Sequence, residues 1–165
     1  TISERLRASF VTDYGVAPER VVVAYPGPNM DAAAIPVRGA RRAGAPPTVL
    51  FVGKEFARKG GDVLLAAFAR VRERLPDARC VIVGPSDIGA VPAGVELLGP
   101  LRKDDPTEFA RLLAAYGDAD VFCLPTRYEP LGIVTIEAMY AGLPCVTSDT
   151  WAMGEMVADG ETGFT

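Results

Sequence analysis

The chain of 165 residues contains no histidine. That absence removes Ser-His-Asp and Cys-His catalysis and takes away the commonest nitrogen ligand of zinc. Cysteine is scarce: Cys80, Cys123 and Cys145 lie far apart, each inside an apolar run. Such an odd, scattered set reads as reduced, buried thiols in a reducing compartment, not as a disulfide frame or a zinc site. No apolar run approaches the roughly 20 residues of a membrane-spanning helix. Cationic excess is missing as well, since 17 basic residues face 21 acidic ones and the net charge is −4. That balance argues against a general nucleic-acid binder. Neither a Walker loop nor a GxGxxG dinucleotide fingerprint occurs.

What is present is a series of short apolar runs, all but the last stopped by glycine or proline. Thr48–Val52 ends at Gly53, Cys80–Val83 at Gly84-Pro85, Val95–Leu98 at Gly99-Pro100, Val121–Leu124 at Pro125, and Pro144–Thr147 at Ser148. Helical spacing separates several of them: Leu64, Phe68, Val71 and Leu75, then Phe109, Leu112, Leu113 and Tyr116. Continuous apolar strands alternating with helices predict a parallel sheet covered on both faces. The expected fold class is therefore α/β, a Rossmann-like open parallel sheet. In such sheets ligands bind beyond the carboxyl ends of the strands. A short helix around Glu155–Ala158 is expected near the end, before the turn Asp159-Gly160-Glu161.

The first third of the chain reads differently. Ser3 is a fit N-cap for an amphipathic helix reaching Tyr14, with Leu6, Phe10 and Val11 inward and Gly15 as the stop. Val21–Ala24 reads as a strand, followed by the turn PGPNMD. Residues 32–47 have no periodicity and are rich in Ala, Pro, Gly and Arg, which reads as a linker. The expected domains are thus 1–31, 32–47 and 48–165. Because the chain does not open with Met, an excised segment is expected.

One stretch carries most of the chemistry: TRYEPLGIVTIEAMYA, Thr126 to Ala141. A strand end, a loop with Gly132 and a helix beginning at Ile133 make an anion site, because first-turn N–H groups have no partner within the helix. Glu137 sits among apolar residues on that helix, where a carboxylate is costly to bury unless hydrogen-bonded. Across the rim, the loop Lys54–Gly61 offers Lys54, Arg58 and Lys59 beside glycines that let a backbone approach an anion. Glu129 and Glu137, eight positions apart, are not placed as a hydrolytic pair, since one lies on a loop and the other on a helix. For both carboxylates simple solvation at the surface is the plain alternative.

These motifs together resemble the C-terminal, donor-binding domain of a GT-B retaining glycosyltransferase of the glycosyltransferase 4 family (glycosyl transferases group 1). The resemblance runs through VLFVGKEFARKGGDVLLAAF, CVIVGP, VELLGPL, DADVFCLPTRYEPLGIVTIEAMYAGLPCVTSD and EMVADGETGF. Its most specific element is the Glu-x7-Glu spacing from Glu129 to Glu137, followed by the G-x5-KG run from Gly53 to Gly60. The resemblance implies one half of a GT-B fold and binding of a nucleotide-diphosphate sugar for retaining transfer of a hexose. It implies that Glu129, Lys54 and Lys59 act on the reacting sugar and diphosphate. Gly53, Arg58, Gly60, Gly84, Pro100, Leu101, Leu131, Gly132, Ile133, Val134 and Glu137 would line the donor site, with Glu137 on the ribose hydroxyls. Lys54 stands where the family more often has arginine, so its contact would be a point charge.

The resemblance also implies that residues 1–31 are the tail of a preceding domain that holds the acceptor, and that closing helices follow residue 165. A piece of this kind is expected to be inactive alone, and its orphaned N-terminal segment invites self-association. No cofactor and no metal are implied, as no Asp-x-Asp cluster falls on the rim. The acceptor is open, no nucleic acid is expected, and the place of action is the cytoplasm or the membrane surface in a longer protein. Two rivals stay open: a nucleotide-binding or interaction module of the same fold without activity, and a nucleotide-sugar epimerase. The epimerase is weakened by the missing histidine.

Overall fold

The computed structural model describes residues 1–39 and 44–165. Six strands form one wholly parallel sheet: β1 (Thr48–Val52), β2 (Arg79–Val83), β3 (Val95–Gly99), β4 (Val121–Leu124), β5 (Cys145–Thr147) and β6 (Gly163–Phe164). Their order across the sheet is β3-β2-β1-β4-β5-β6. The helices are α1 (Glu4–Thr12), α2 (Gly61–Arg74), α3 (Pro106–Asp118), α4 (Ile133–Tyr140) and α5 (Met153–Met156). The chain moves outward from β1 to β3, returns through α3 to β4, and moves outward again on the other side. Right-handed crossovers then put α2 on one face and α3 and α4 together on the other.

The apolar runs became strands because both faces are covered. Leu50, Phe51, Ile82, Phe122 and Leu124 are fully buried, each worth about 1.5–3 kcal/mol of transfer free energy. The register pairs Leu50 with Phe122. Carried on, it sets Val52 beside Leu124, so Gly53 and Pro125 leave the sheet side by side. Asp120, just before β4, accepts from the Thr48 backbone N–H at 2.9 Å and from Arg38 at 2.5 Å, locking the other end of the same strand pair.

Four expectations need correction. Val21–Ala24 is not a strand. Its polar groups meet the start of the chain, α1 and the turn just before the run: the Thr1 amino group donates to the Val22 carbonyl at 2.7 Å, Ala24 N–H to the Thr1 carbonyl at 2.8 Å, Arg7 to the Val21 carbonyl at 3.1 Å, and Val21 N–H to the Pro18 carbonyl at 3.2 Å. Without a neighbouring strand an isolated apolar run gains no ladder, and Val22 stays 74% exposed. Second, α1 begins at its expected cap, with Ser3 Oγ accepting from Leu6 N–H at 3.1 Å, but Leu6 and Phe10 do not face a core; no residue of α1 is buried. Third, α5 spans Met153–Met156, earlier than expected. Fourth, β6 adds an edge strand that so short a sequence did not announce. Within the expected linker, Ile35 is buried in the core and Arg38 N–H donates to the Ala141 carbonyl at 2.7 Å. The rest of that linker includes residues 40–43, which lie outside the described residues.

Candidate functional site

The strand order reverses between β1 and β4, and the loops leaving these two strands flank the crevice so formed. Ligands of open α/β sheets bind at such a switch point. Gly60 ends the first loop with φ 73° as N-cap of α2, and a Cβ there would lie 1.8 Å from the Pro125 carbonyl oxygen. Only glycine lets α2 start so close to the end of β4. Gly132, φ 75°, plays the same part for α4, where a Cβ would come within 2.8 Å of Met153 Sδ. Its helix has no side-chain cap, and while Thr135 N–H donates to the Gly132 carbonyl at 2.8 Å, the N–H groups of Ile133 and Val134 stay open to an anion on the rim.

The two loops are stitched together. Arg127 N–H donates to the Arg58 carbonyl at 3.0 Å, and its guanidinium holds Asp62 at 2.7 and 2.8 Å. Hydrogen bonding from that guanidinium keeps the Asp62 carboxyl at about 2. Arg58 pairs with Glu55 at 2.5 Å and donates to the Tyr128 carbonyl, so it braces the loops from the side and comes only to 4.0 Å of Glu129. At the centre, Lys59 Nζ meets Glu129 Oε2 at 2.6 Å, with the two side chains 13% and 11% exposed. The stem of Lys59 lies across Gly53, where a Cβ would fall 2.4 Å from its Cδ. Lys54 is exposed on the same rim, and among the described residues no carboxylate pairs with it. An incoming diphosphate would thus find Lys54 available and compete with Glu129 for Lys59.

Glu137 lies on α4, 1% exposed. Its Oε2 accepts from the Tyr116 hydroxyl at 2.9 Å, and its Oε1 accepts from Lys103 Nζ at 2.5 Å and from Asn29 N–H at 3.2 Å. Lys103 also donates to the Asn29 carbonyl at 3.0 Å. Burial, together with the neighbouring Glu137 carboxylate, pushes the Tyr116 hydroxyl well above its ordinary range, so it remains a donor. The buried carboxylate therefore has partners inside the chain. Ribose hydroxyls would have to replace Lys103 or Asn29.

The remaining expected residues fall on the same edge. Gly84 N–H donates to the Gly99 carbonyl at 2.9 Å, and Pro100 and Leu101 follow β3. Leu131 is buried, Ile133 is 39% exposed, and Val134 is half-buried. Sequence reasoning missed Lys103, Tyr116 and Asn29. Tyr116 was visible as a core position at helical spacing, but nothing along the chain points its hydroxyl at Glu137. Lys103 and Asn29 carry no pattern at all.

A cavity of about 640 Å³ opens at the opposite end of the strands around Thr48, Arg79 and Asp120. It receives the C-terminal end of α3 at Asp118, the negative end of a helix dipole, and Arg38 and Arg79 there are paired with Asp120 and Glu96, each at 2.5 Å. Arg111 also lines the cavity, but the switch-point crevice adds to its lysines the open N–H groups of a helix start. Among the described residues no group of three or more His, Cys, Asp or Glu gathers to hold a metal, and no helix is long and apolar enough to cross a membrane.

Comparison with known proteins bears on this geometry. The family described as "Glycosyl transferases group 1" matches residues 46–165. A phosphatidyl-myo-inositol mannosyltransferase of Mycolicibacterium smegmatis is 42% identical over 120 residues, which cover 70% of this chain and 31% of the relative. A D-inositol 3-phosphate glycosyltransferase of Kribbella flavida is 35% identical over 174 residues, covering 93% of this chain and 41% of the relative. Among solved structures, a sucrose-phosphate synthase from Thermosynechococcus elongatus superposes with a TM-score of 0.71 at 26% identity, over 99% of this chain and 43% of that one. WaaG, a glycosyltransferase of lipopolysaccharide biosynthesis, gives a TM-score of 0.73 at 24% identity, over 96% of this chain and 46% of that one.

Proposed function

The chain belongs to the glycosyl transferases group 1 family, its sheet is one Rossmann-like half of a GT-B fold, and from that premise we propose that it binds the nucleotide-diphosphate sugar of a retaining hexosyltransferase. It spans 31% and 41% of the length of the two curated relatives above, so the activity proposed is that of a longer protein whose other half holds the acceptor. The observation that carries the reading is the Lys59–Glu129 pair at 2.6 Å, set beside the uncapped start of α4 at the switch point of the sheet.

In this reading the diphosphate lies between Lys54, Lys59 and the first-turn N–H groups of α4. These groups gain interaction energy as the bond between the sugar C1 and the phosphate oxygen breaks and charge builds on the leaving group. The acceptor hydroxyl attacks C1 from the leaving-group face through a short-lived oxocarbenium-like state, and its proton passes to the departing phosphate. Once the diphosphate draws Lys59 away, Glu129 faces the sugar and steadies the cationic ring. Lysines supply the positive charge, with no metal or cofactor required, and the reaction would run in the cytoplasm or at its membrane surface. Both curated relatives are named for an inositol, which puts inositol-bearing acceptors first among those to try.

A second reading, a nucleotide-binding or interaction module without activity, is favoured by one observation: the partners of Glu137 are supplied by the chain itself. A thermal-shift panel of UDP, GDP, ADP and their sugars tests the donor reading, with Lys59→Ala and Glu137→Gln alongside. Stabilisation by one nucleotide series that is lost in Lys59→Ala supports it. No stabilisation by any of them removes the donor site. A stabilisation unchanged in Glu137→Gln removes the ribose role.

A further inference from the structure

Trp151 is the single tryptophan of the chain and, among the described residues, the one residue other than glycine with a positive φ, 56°. A bulky residue held in left-handed backbone is strained by about 1–3 kcal/mol. Burial does not offset that strain, because the residue is 42% exposed. Tyr128, 46% exposed, meets it edge to face, with ring centres 4.6 Å apart and planes at 75°. The guanidinium of Arg5 lies 5.1 Å from the centre of the Trp151 ring.

Between these rings and α1 is a cavity of about 470 Å³, lined also by Pro130, by Ile2, by Leu6 and Ser9 of α1, and by Asp13 just beyond its end. Its size falls within the roughly 300–1,000 Å³ of small-molecule sites. Two exposed aromatic rings meet the C–H faces of a saturated ring, while the Arg5 guanidinium and the Asp13 carboxylate, which already accepts from the Ser9 hydroxyl at 2.7 Å, meet a girdle of hydroxyls. A lipid tail or an aliphatic side chain seated here would meet Ile2 and Leu6, but it would leave the Arg5 guanidinium and the Asp13 carboxylate facing apolar surface, which is unfavourable. Tyr128 and Pro130 flank Glu129, so a ring held against them sits next to the loop that carries Glu129.

We propose that Tyr128 and Trp151 form a stacking subsite for a cyclic polyol, a pyranose or a cyclitol, presented by the acceptor. The subsite deepens the transferase reading and rests on it for the word acceptor alone, since ring binding itself needs no nucleotide. Strained Trp151 is then held where its face, not its burial, is useful.

The single tryptophan makes the test direct. Its fluorescence is followed while the protein is titrated with methyl α-D-mannopyranoside, with myo-inositol and, as an open-chain control, with sorbitol. A saturable change with at least one ring and only a linear drift with sorbitol is expected, and the ring that saturates tells pyranose from cyclitol. Tyr128→Ala should weaken that response about ten-fold, the effect of losing roughly 1.4 kcal/mol of ring contact. Trp151→Gly should melt at a higher temperature than the unaltered protein and lose ring binding by saturation-transfer NMR. Drift identical to sorbitol, a midpoint unmoved by Tyr128→Ala, or a lower melting temperature for Trp151→Gly overturns the subsite. The nucleotide thermal shift, measured on the same samples, separates the two ideas: ring binding absent with that shift intact removes only the subsite, whereas a missing shift in the unaltered protein removes the donor reading.

Discussion

Replacing Tyr116 by phenylalanine removes one oxygen from the buried centre of the α3–α4 face, and its effect can be worked out from the contacts of Glu137. The Tyr116 side chain is 0% exposed and Glu137 1%, so water cannot take over the lost bond of 2.9 Å. A hydrogen bond to an ionised acceptor contributes about 1.5–3 kcal/mol. Lys103 and Asn29 still neutralise and solvate Oε1, which sets the expected loss near the middle of that range, about 2 kcal/mol. For a chain of this length that is a fall of roughly 4–8 °C in Tm. Lys103→Met acts on the other oxygen and leaves the carboxylate without its counter-ion. Since Lys103 is 32% exposed, its loss should fall below the roughly 3–5 kcal/mol of a fully buried pair. Urea unfolding of Tyr116→Phe, Glu137→Gln and the double variant closes a thermodynamic cycle, with a coupling of about 1–2 kcal/mol expected. A Tyr116→Phe variant within about 0.5 kcal/mol of the unaltered protein, or additive single and double variants, would refute this account of how the chain holds a carboxylate on an apolar helix.

Other expectations follow from the same geometry. Gly60→Ala places a Cβ 1.8 Å from the Pro125 carbonyl oxygen at φ 73°; the overlap and the left-handed backbone together should destabilise by about 3 kcal/mol or more, visible as a lowered urea midpoint. Burial pushes Cys80 and Cys145 up to about 12 and Cys123 to about 11, so a disulfide reagent at pH 8 should label none of the three within minutes until denaturant is added. Burial pushes the Glu155 carboxyl up, but the backbone N–H groups of Arg5 and Glu4 and the Tyr25 hydroxyl outweigh it and hold the group below its ordinary 4.5. A carboxyl lowered on folding stabilises above its unfolded pKa and loses that contribution as pH falls through the folded one. Acid should therefore loosen α1: the amide signals of Glu4 and Arg5, 2.7 and 2.8 Å from Glu155, should titrate with a midpoint below 4.5, and a midpoint at or above 4.5 contradicts the docking.

The parallel sheet was readable along the chain because each strand is buried on both faces and so spells an unbroken apolar run. The rim was readable for a related reason: Gly60 and Gly132 stand where a left-handed turn is needed and Gly53 where the Lys59 stem crosses the backbone, and such places admit little else. Charge pairing was not. Lys59 and Arg58 adjoin in sequence with the same charge, yet one reaches Glu129 and the other braces Tyr128. The partners of Glu137 come from three separate segments, and no local pattern links Asn29, Lys103 and Tyr116. Val21–Ala24 misled because composition alone records apolar β-branched residues and cannot tell whether a neighbouring strand exists. The amphipathic pattern of α1 misled in the same way, since a stripe at Leu6 and Phe10 says nothing of what covers it.

Amide NMR tests the place of the diphosphate residue by residue. Titration of the labelled chain with UDP, GDP and ADP is expected to move the signals of Gly53, Lys54, Ile133 and Val134 most for the nucleotide that binds, with the corresponding nucleoside moving them little and Lys59→Ala abolishing the change. Largest shifts at Thr48, Arg79 and Asp120, the opposite end of the strands, or shifts that the nucleoside reproduces in full, would contradict it.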